Sequence, residues 1–225
     1  LMLKIHHLKP TMDPCLNGKE ISNTPSILQL YLSPIPLNID PIKYHNKIFI
    51  SNHRLTFPDK KIKYEFVGED SLEWRVKTKN YIVYNNDEKY YLESFHIHKH
   101  GEHTINGKHF DCELHFVFPN YSSNDTILVL GILFNFGKRS SKIIKSLIKS
   151  KSFSLPDNIE NNFCTYGGSL TKVNLEDIDA VAVNWNILTL IGSITREDYN
   201  ILYHKFRNSS KLRPTNGRNV IYIKK

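Results

Sequence analysis

At 225 residues with 40% hydrophobic side chains, the chain can bury one good core, and it reads as a single domain rather than two. Its 30 basic and 22 acidic residues leave a net charge of +8, which suits a solvated surface or contact with polyanions. No nucleic-acid motif accompanies that charge, and no run approaches the ~18 apolar residues of a membrane span, so neither nucleic acid nor a membrane-spanning segment is expected.

In chain order, residues 1–29 read as an extension that packs on or trails the domain of residues 30–225. Lys47-Phe49-Ser51 and Lys63-Tyr64-Glu65-Phe66-Val67 alternate as strands do, and Trp74-Arg75-Val76 and Tyr81-Ile82-Val83-Tyr84 are short β-type runs. Ile127 to Phe134 reads as a buried strand. From Lys142 to Ser152 the apolar Ile143, Ile144, Leu147 and Ile148 fall on one helical face, with Lys142, Lys145 and Lys149 on the other. Thr195 caps a second predicted helix whose inward stripe is Tyr199, Leu202 and Phe206. The expected fold is mainly β: a large, twisted, mostly antiparallel sheet with a few peripheral helices.

The segment Phe95-His96-Ile97-His98-Lys99-His100-Gly101-Glu102-His103-Thr104, followed by Glu113-Leu114-His115, carries the chemistry. His96 and His98 are two apart and share one face of a strand. Asn106-Gly107 favours a type I′ turn, so Ile105 should pair with Lys108 and, if the ladder is unbroken, His98 should lie opposite His115. Three neutral imidazoles on rigid strands, with a fourth position left to water, form the usual open site of catalytic zinc, Zn2+. Glu113 shares a face with His115 and can accept that imidazole's second N–H, fixing its tautomer.

These residues resemble the alpha-class carbonic anhydrases in their short-loop, bacterial and plant-like form. The resemblance rests on Phe95-His96-Ile97-His98, on Glu102 to Lys108, on Glu113 to Val117, and on Tyr166-Gly167-Gly168-Ser169-Leu170-Thr171. Weaker echoes, among them Val129-Leu130-Gly131-Ile132, Val183-Asn184-Trp185 and Arg213-Pro214, extend it over roughly residues 30 to 222. It implies the alpha-carbonic-anhydrase sheet and hydration of carbon dioxide to bicarbonate by zinc-bound hydroxide. His96, His98 and His115 are the implied zinc ligands, Glu113 the partner of His115, and Thr171 the residue that hydrogen-bonds the hydroxide while donating to Glu102. Val117, Val129, Leu170, Val183 and Trp185 would line the carbon dioxide pocket, and His103 would be a structural hydrogen-bonding residue.

The departures from the family pattern bear on rate. The family's relay His is replaced by Asp70, a poor proton relay with an ordinary pKa of about 4, and His53 is the substitute candidate. Ser94 stands where a Gln usually supports the first ligand. Lys172-Val173-Asn174 replaces the residues that usually follow the threonine, and the late position of Trp185 implies an insertion around Asn174 to Asp179. A slower enzyme is expected. The alternative is a binding module on the same scaffold that recognises sulphated polysaccharide through its basic surface. Three cysteines allow one disulfide, with Cys15 and Cys164 the pair considered and Cys112 read as a buried thiol. The sequons at Asn120, Asn124 and Asn208 permit glycosylation and lean toward a secreted or surface-exposed protein, a virion surface included.

Overall fold

The computed structural model describes residues 32–37, 55–68, 72–85, 87–123, 125–149, 152–155, 162–171, 181–218 and 220–224. The extension at 1–29, the strand expected at 47–51, Cys15, His53, Asp70 and the inferred insertion lie outside the described residues.

The described strands are β1 (Pro36–Leu37), β2 (Leu55–Thr56), β3 (Ile62–Val67), β4 (Glu73–Val76), β5 (Ile82–Asn85), β6 (Glu88–Tyr91), β7 (Ser94–His98) and β8 (Thr104–Ile105). The second half contributes β9 (Cys112–Pro119), β10 (Thr126–Phe136), β11 (Ser152–Phe153), β12 (Asn162–Gly168), β13 (Ala182–Leu188), β14 (Gly192–Ile194), β15 (Phe206–Arg207) and β16 (Ile221–Lys224). Two described α-helices, α1 (Lys142–Lys149) and α2 (Arg196–Leu202), accompany them. Eleven strands form one sheet in the order β11-β3-β4-β7-β9-β10-β13-β12-β16, with β14 on β10 and β15 on β7. Most neighbours are antiparallel; β13 and β14 run parallel to β10, and β15 runs parallel to β7. The architecture is the mainly β one expected.

Strand parity divides the molecule. Phe95 and Ile97 of β7, Leu114, Phe116 and Phe118 of β9, and Leu128, Leu130, Ile132 and Phe134 of β10 all enter one aromatic-rich core cluster. Alternate positions put Ser94, His96, His98, Glu113, His115 and Val117 on the other face, beside a second cluster that holds Val129, Tyr166, Val183, Trp185 and Ile187. Each large apolar side chain buried in this way contributes roughly 1.5–3 kcal/mol, so a one-residue slip of β7 or β9, which would turn histidines into the aromatic core, is strongly disfavoured.

Two helical expectations need correction. The helix from Lys142 ends at Lys149, because Ser152 and Phe153 pair with Lys63 and Ile62 as the edge strand β11. Phe206 lies in β15 rather than on a helix, since α2 gives way to a 3-10 turn at Tyr203–Lys205 and the chain then pairs with β7. The Thr195 cap forms as expected, accepting a bond from the Asp198 amide at 3.2 Å. The buried Asp198 carboxylate in turn takes the Lys145 ammonium at 2.6 Å and the Ser140 hydroxyl, tying α1 to α2. No described helix is long and apolar enough to cross a membrane.

Candidate metal centre

The hairpin turn forms as the Asn-Gly pair dictates: Asn106 and Gly107 have φ of 50° and 74°, and Ile105 bridges Lys108. The long ladder does not follow from it. His96, not His98, lies opposite His115, and His98 lies opposite Glu113. The cause is local. Gly101 donates to the Phe110 carbonyl, so three residues separate Gly101 from Ile105 while one separates Lys108 from Phe110. The two extra residues, Glu102 and His103, leave the ladder, and their amides turn to Glu113 Oε2 at 2.7 and 2.9 Å. A two-residue slip preserves facing, so the three imidazoles still converge.

Their ring centroids lie 5.0 Å (His96–His98), 5.3 Å (His96–His115) and 4.8 Å (His98–His115) apart, and one nitrogen from each ring lies within 4.8 Å of the others. The hydrogen bonds assign two tautomers. His98 Nδ1 faces the Asn208 carbonyl at 3.0 Å and must donate, which leaves Nε2 with a lone pair and no hydrogen-bond partner among the described residues. His115 Nε2 donates to Glu113 Oε1 at 2.8 Å, leaving Nδ1 as the lone-pair nitrogen. Burial pulls the His98 pKa down to about 3, so this ring is neutral near pH 7. A borderline-soft divalent cation such as zinc fits this all-nitrogen donor set and the orphaned, buried Nε2.

Glu113 is the hub of the site. Besides His115 and the two bulge amides, its Oε1 accepts from His103 Nδ1 at 2.7 Å. Burial opposes ionisation there, but the hydrogen bonds and electrostatic attraction from the His103 and His115 rings outweigh it and hold the Glu113 carboxyl well below its usual range. His103 Nε2, as the remaining acceptor, takes the Tyr166 hydroxyl at 2.6 Å, which makes His103 a relay between strands rather than a ligand of the triad. Opposite His115 stands Gly131, where a Cβ would meet Ile187 Cδ1 at 2.5 Å and Glu113 Oε1 at 3.0 Å. Glu102 Oε1 accepts the Ser210 amide at 2.6 Å, while the buried Oε2 has no hydrogen-bond partner among the described residues and sits 3.9 Å from His115 Nδ1. The Thr171 to Glu102 bond implied by the resemblance is therefore not made in this structure, although Thr171 is described, half-buried, just beyond the end of β12.

The apolar candidates divide. Register aligns Val117, Val129, Trp185 and Tyr166 across β9, β10, β13 and β12, on the imidazole face. Val129, Val183 and Trp185 are enclosed in the second core cluster, whereas Val117 is half-buried and Leu170 exposed. Trp185 packs on His115 with ring centroids 5.0 Å apart and donates to the Ser169 carbonyl at 2.9 Å. Cys112 and Cys164 are buried thiols. Sequence reasoning missed Gly131, Asn208, Ser210 and the Tyr166 hydroxyl as parts of the site; the last three act across 110, 108 and 63 residues of chain, beyond any local pattern.

Residues 23–222 match the eukaryotic-type carbonic anhydrase family. Alpha carbonic anhydrase 7 of Arabidopsis thaliana is 29% identical over 153 residues, 59% of this chain and 53% of its own length. A carbonic anhydrase of Klebsiella pneumoniae is 24% identical over 58% of this chain and 56% of its own length, and dioscorin dioA3 of Dioscorea japonica 24% identical over 60% and 55%. The chain thus spans about half the length of the curated relatives it matches. The fold is similar to that of the alpha-carbonic anhydrase of Thermovibrio ammonificans solved with sulfanilamide, at a TM-score of 0.62 and 23% identity over 85% of this chain and 86% of that one. A carbonic anhydrase of Chlamydomonas reinhardtii solved with acetazolamide gives a TM-score of 0.65 at 17% identity, covering 92% and 98% of the two chains. With the family match running through all three histidines and nearly the whole described fold, the chain belongs to the eukaryotic-type carbonic anhydrase family.

Proposed function

We propose that the protein catalyses the zinc-dependent, reversible hydration of carbon dioxide to bicarbonate and a proton. The observation that carries this reading is the convergence of His96, His98 and His115, with the lone pairs of His98 Nε2 and His115 Nδ1 left free by their outward hydrogen bonds. Zinc held by these three nitrogens would supply the Lewis acidity that brings a water's pKa to roughly 7. The rest falls to the protein. The Asn208 carbonyl and the Glu113 carboxylate fix which nitrogen of His98 and of His115 carries the proton, so that His98 Nε2 and His115 Nδ1 are the ones left to a metal. Glu102 Oε2, buried and without a hydrogen-bond partner among the described residues, would accept the Thr171 hydroxyl, which would then orient the attacking water's lone pair toward carbon dioxide.

Half-buried Val117 and exposed Leu170 would form the lip of the substrate pocket, with Val129, Val183 and Trp185 as the packed wall behind them. Such a wall suits a small apolar gas and excludes bulk water. Asp70 and His53 are the relay candidates, and the low ordinary pKa of a carboxylate sets proton release as the slow step. The competing polysaccharide-binding reading rests on Lys172, the missing relay His and the net charge of +8, and net charge bears on solubility and non-specific binding rather than on a site.

Stopped-flow hydration of carbon dioxide tests the proposal. Activity should vanish on chelation, return with zinc, and be absent from His98→Ala at every zinc concentration. Zinc-loaded, folded wild-type protein that hydrates no faster than buffer would refute it.

A further inference from the structure

Two holds on the metal-facing groups come from one short segment. The Asn208 carbonyl orients His98 at 3.0 Å, and the Ser210 amide takes Glu102 Oε1 at 2.6 Å. Both are main-chain groups, so their aim depends on where the backbone of residues 208–210 lies rather than on those side chains. Three contacts set that backbone. Lys99 donates to the Arg207 carbonyl at 2.9 Å, continuing the parallel pairing of Arg207 with His98. Ser209 clasps His100 twice, its hydroxyl accepting from the amide at 3.1 Å and donating to the carbonyl at 2.8 Å. Arg207 Nη2 reaches Glu73 Oε2 at 2.8 Å, with side chains 23% and 13% exposed.

The last contact joins two strands on one edge of β7. Strand β9 occupies the other edge along Ser94–His98, so β4, which pairs at Ser94 and Phe95, and β15, which pairs at Ile97 and His98, lie end to end. The Arg207–Glu73 ion pair bridges that junction, and its partial burial shields it from the screening that weakens surface pairs. The other Glu73 oxygen takes Arg75 at 2.9 Å, an Arg whose side chain is 60% exposed.

We propose that Arg207 and Ser209, with Glu73 as the counter-ion of Arg207, are positioning residues of the metal centre: they register the Asn208–Ser210 backbone so that His98 and Glu102 keep their aim. This rests on the reading of the histidine triad as a metal site. The test uses Glu73→Gln, Ser209→Ala and, as a control, Arg75→Met, each as full-length apo-protein. Dissociation constants for zinc and cobalt come from chelator competition, and the visible absorption of the cobalt form reports ligand geometry.

Glu73→Gln and Ser209→Ala should each weaken metal binding by about 10-fold, the lower end for residues that support ligands, and alter the cobalt spectrum. Arg75→Met should do neither, and Arg207→Lys, which keeps the charge, should fall between Glu73→Gln and wild type. Affinities within about twofold of wild type with an unchanged spectrum would overturn the proposal, whatever the loss in apo-protein melting temperature, because that pattern marks a merely structural role. If Glu73→Gln does not fold, Ser209→Ala decides alone. Wild-type protein that binds neither metal would instead refute the metal-site reading itself, and the positioning role with it.

Discussion

Glu113→Gln exchanges one carboxylate oxygen for an amide NH2 and leaves the shape of the side chain intact. Four donors now point at that carboxylate: the Glu102 and His103 amides at 2.7 and 2.9 Å on Oε2, and His103 Nδ1 and His115 Nε2 at 2.7 and 2.8 Å on Oε1. A carboxamide has one accepting oxygen and two protons to give. Main-chain amides cannot invert, and leaving both without an acceptor would cost about 1–3 kcal/mol each, so the amide oxygen stays on the Oε2 side. The NH2 then faces two imidazoles, which can invert. His103 moves its proton to Nε2 and donates to the Tyr166 oxygen across the existing 2.6 Å contact. His115 moves its proton to Nδ1, the nitrogen that a metal would otherwise take.

The variant should therefore fold with all four contacts at position 113 remade and yet lose metal. Recovering the ligand tautomer would set N–H against N–H in a fully buried site, so zinc affinity should fall by about 10- to 100-fold, or about 1.4–2.7 kcal/mol. Competition against a chromophoric chelator reads the affinity, and imidazole nitrogen-15 NMR reads the tautomer. A folded variant with wild-type zinc affinity and His115 still protonated at Nε2 would refute the reasoning.

Gly131→Ala should destabilise the protein by about 1–3 kcal/mol in chemical denaturation, the usual cost of overpacking, since its methyl would meet Ile187 Cδ1 and the Glu113 carboxylate; a neutral result would mean that β10 shifts freely beneath the site. For Asp198, burial raises the pKa, but the hydrogen bonds from Lys145 and Ser140 and the Lys145 charge outweigh it and leave the value below the usual carboxylate range. A depressed folded pKa contributes stability that is present above the ordinary value of about 4 and lost as pH falls through the folded value. Asp198→Asn should accordingly be less stable than wild type near neutrality, and the difference should shrink on acidification; urea midpoints measured from neutral to acid pH check it, and a gap that stays constant would contradict the assignment.

Much of this was legible from neighbouring residues. The two-residue spacings of His96 with His98 and of Glu113 with His115 put all four on one strand face, and the structure keeps them there. Asn106-Gly107 specified its turn through the positive φ that both residues tolerate, and Thr195 specified its cap. The predicted end of α1 at Ser152 and the helical placement of Phe206 failed where a strand partner distant in sequence took the residue instead. The register failed for a related reason. Counting outward from the turn assumes an unbroken ladder, and the break at Glu102 and His103 exists because a buried carboxylate offered their amides better acceptors than the facing strand did.

The sequence by itself determined which side chains share a face, which turn reverses the chain and which residue types can hold a metal, because these follow from backbone periodicity and side-chain chemistry over a few residues. Tertiary structure alone decided which nitrogen of His98 is free, which oxygen of Glu102 is spare and why position 131 must be glycine. Those outcomes depend on main-chain groups and close approaches brought from as far as 110 residues away, and no local pattern encodes where a distant carbonyl will come to rest.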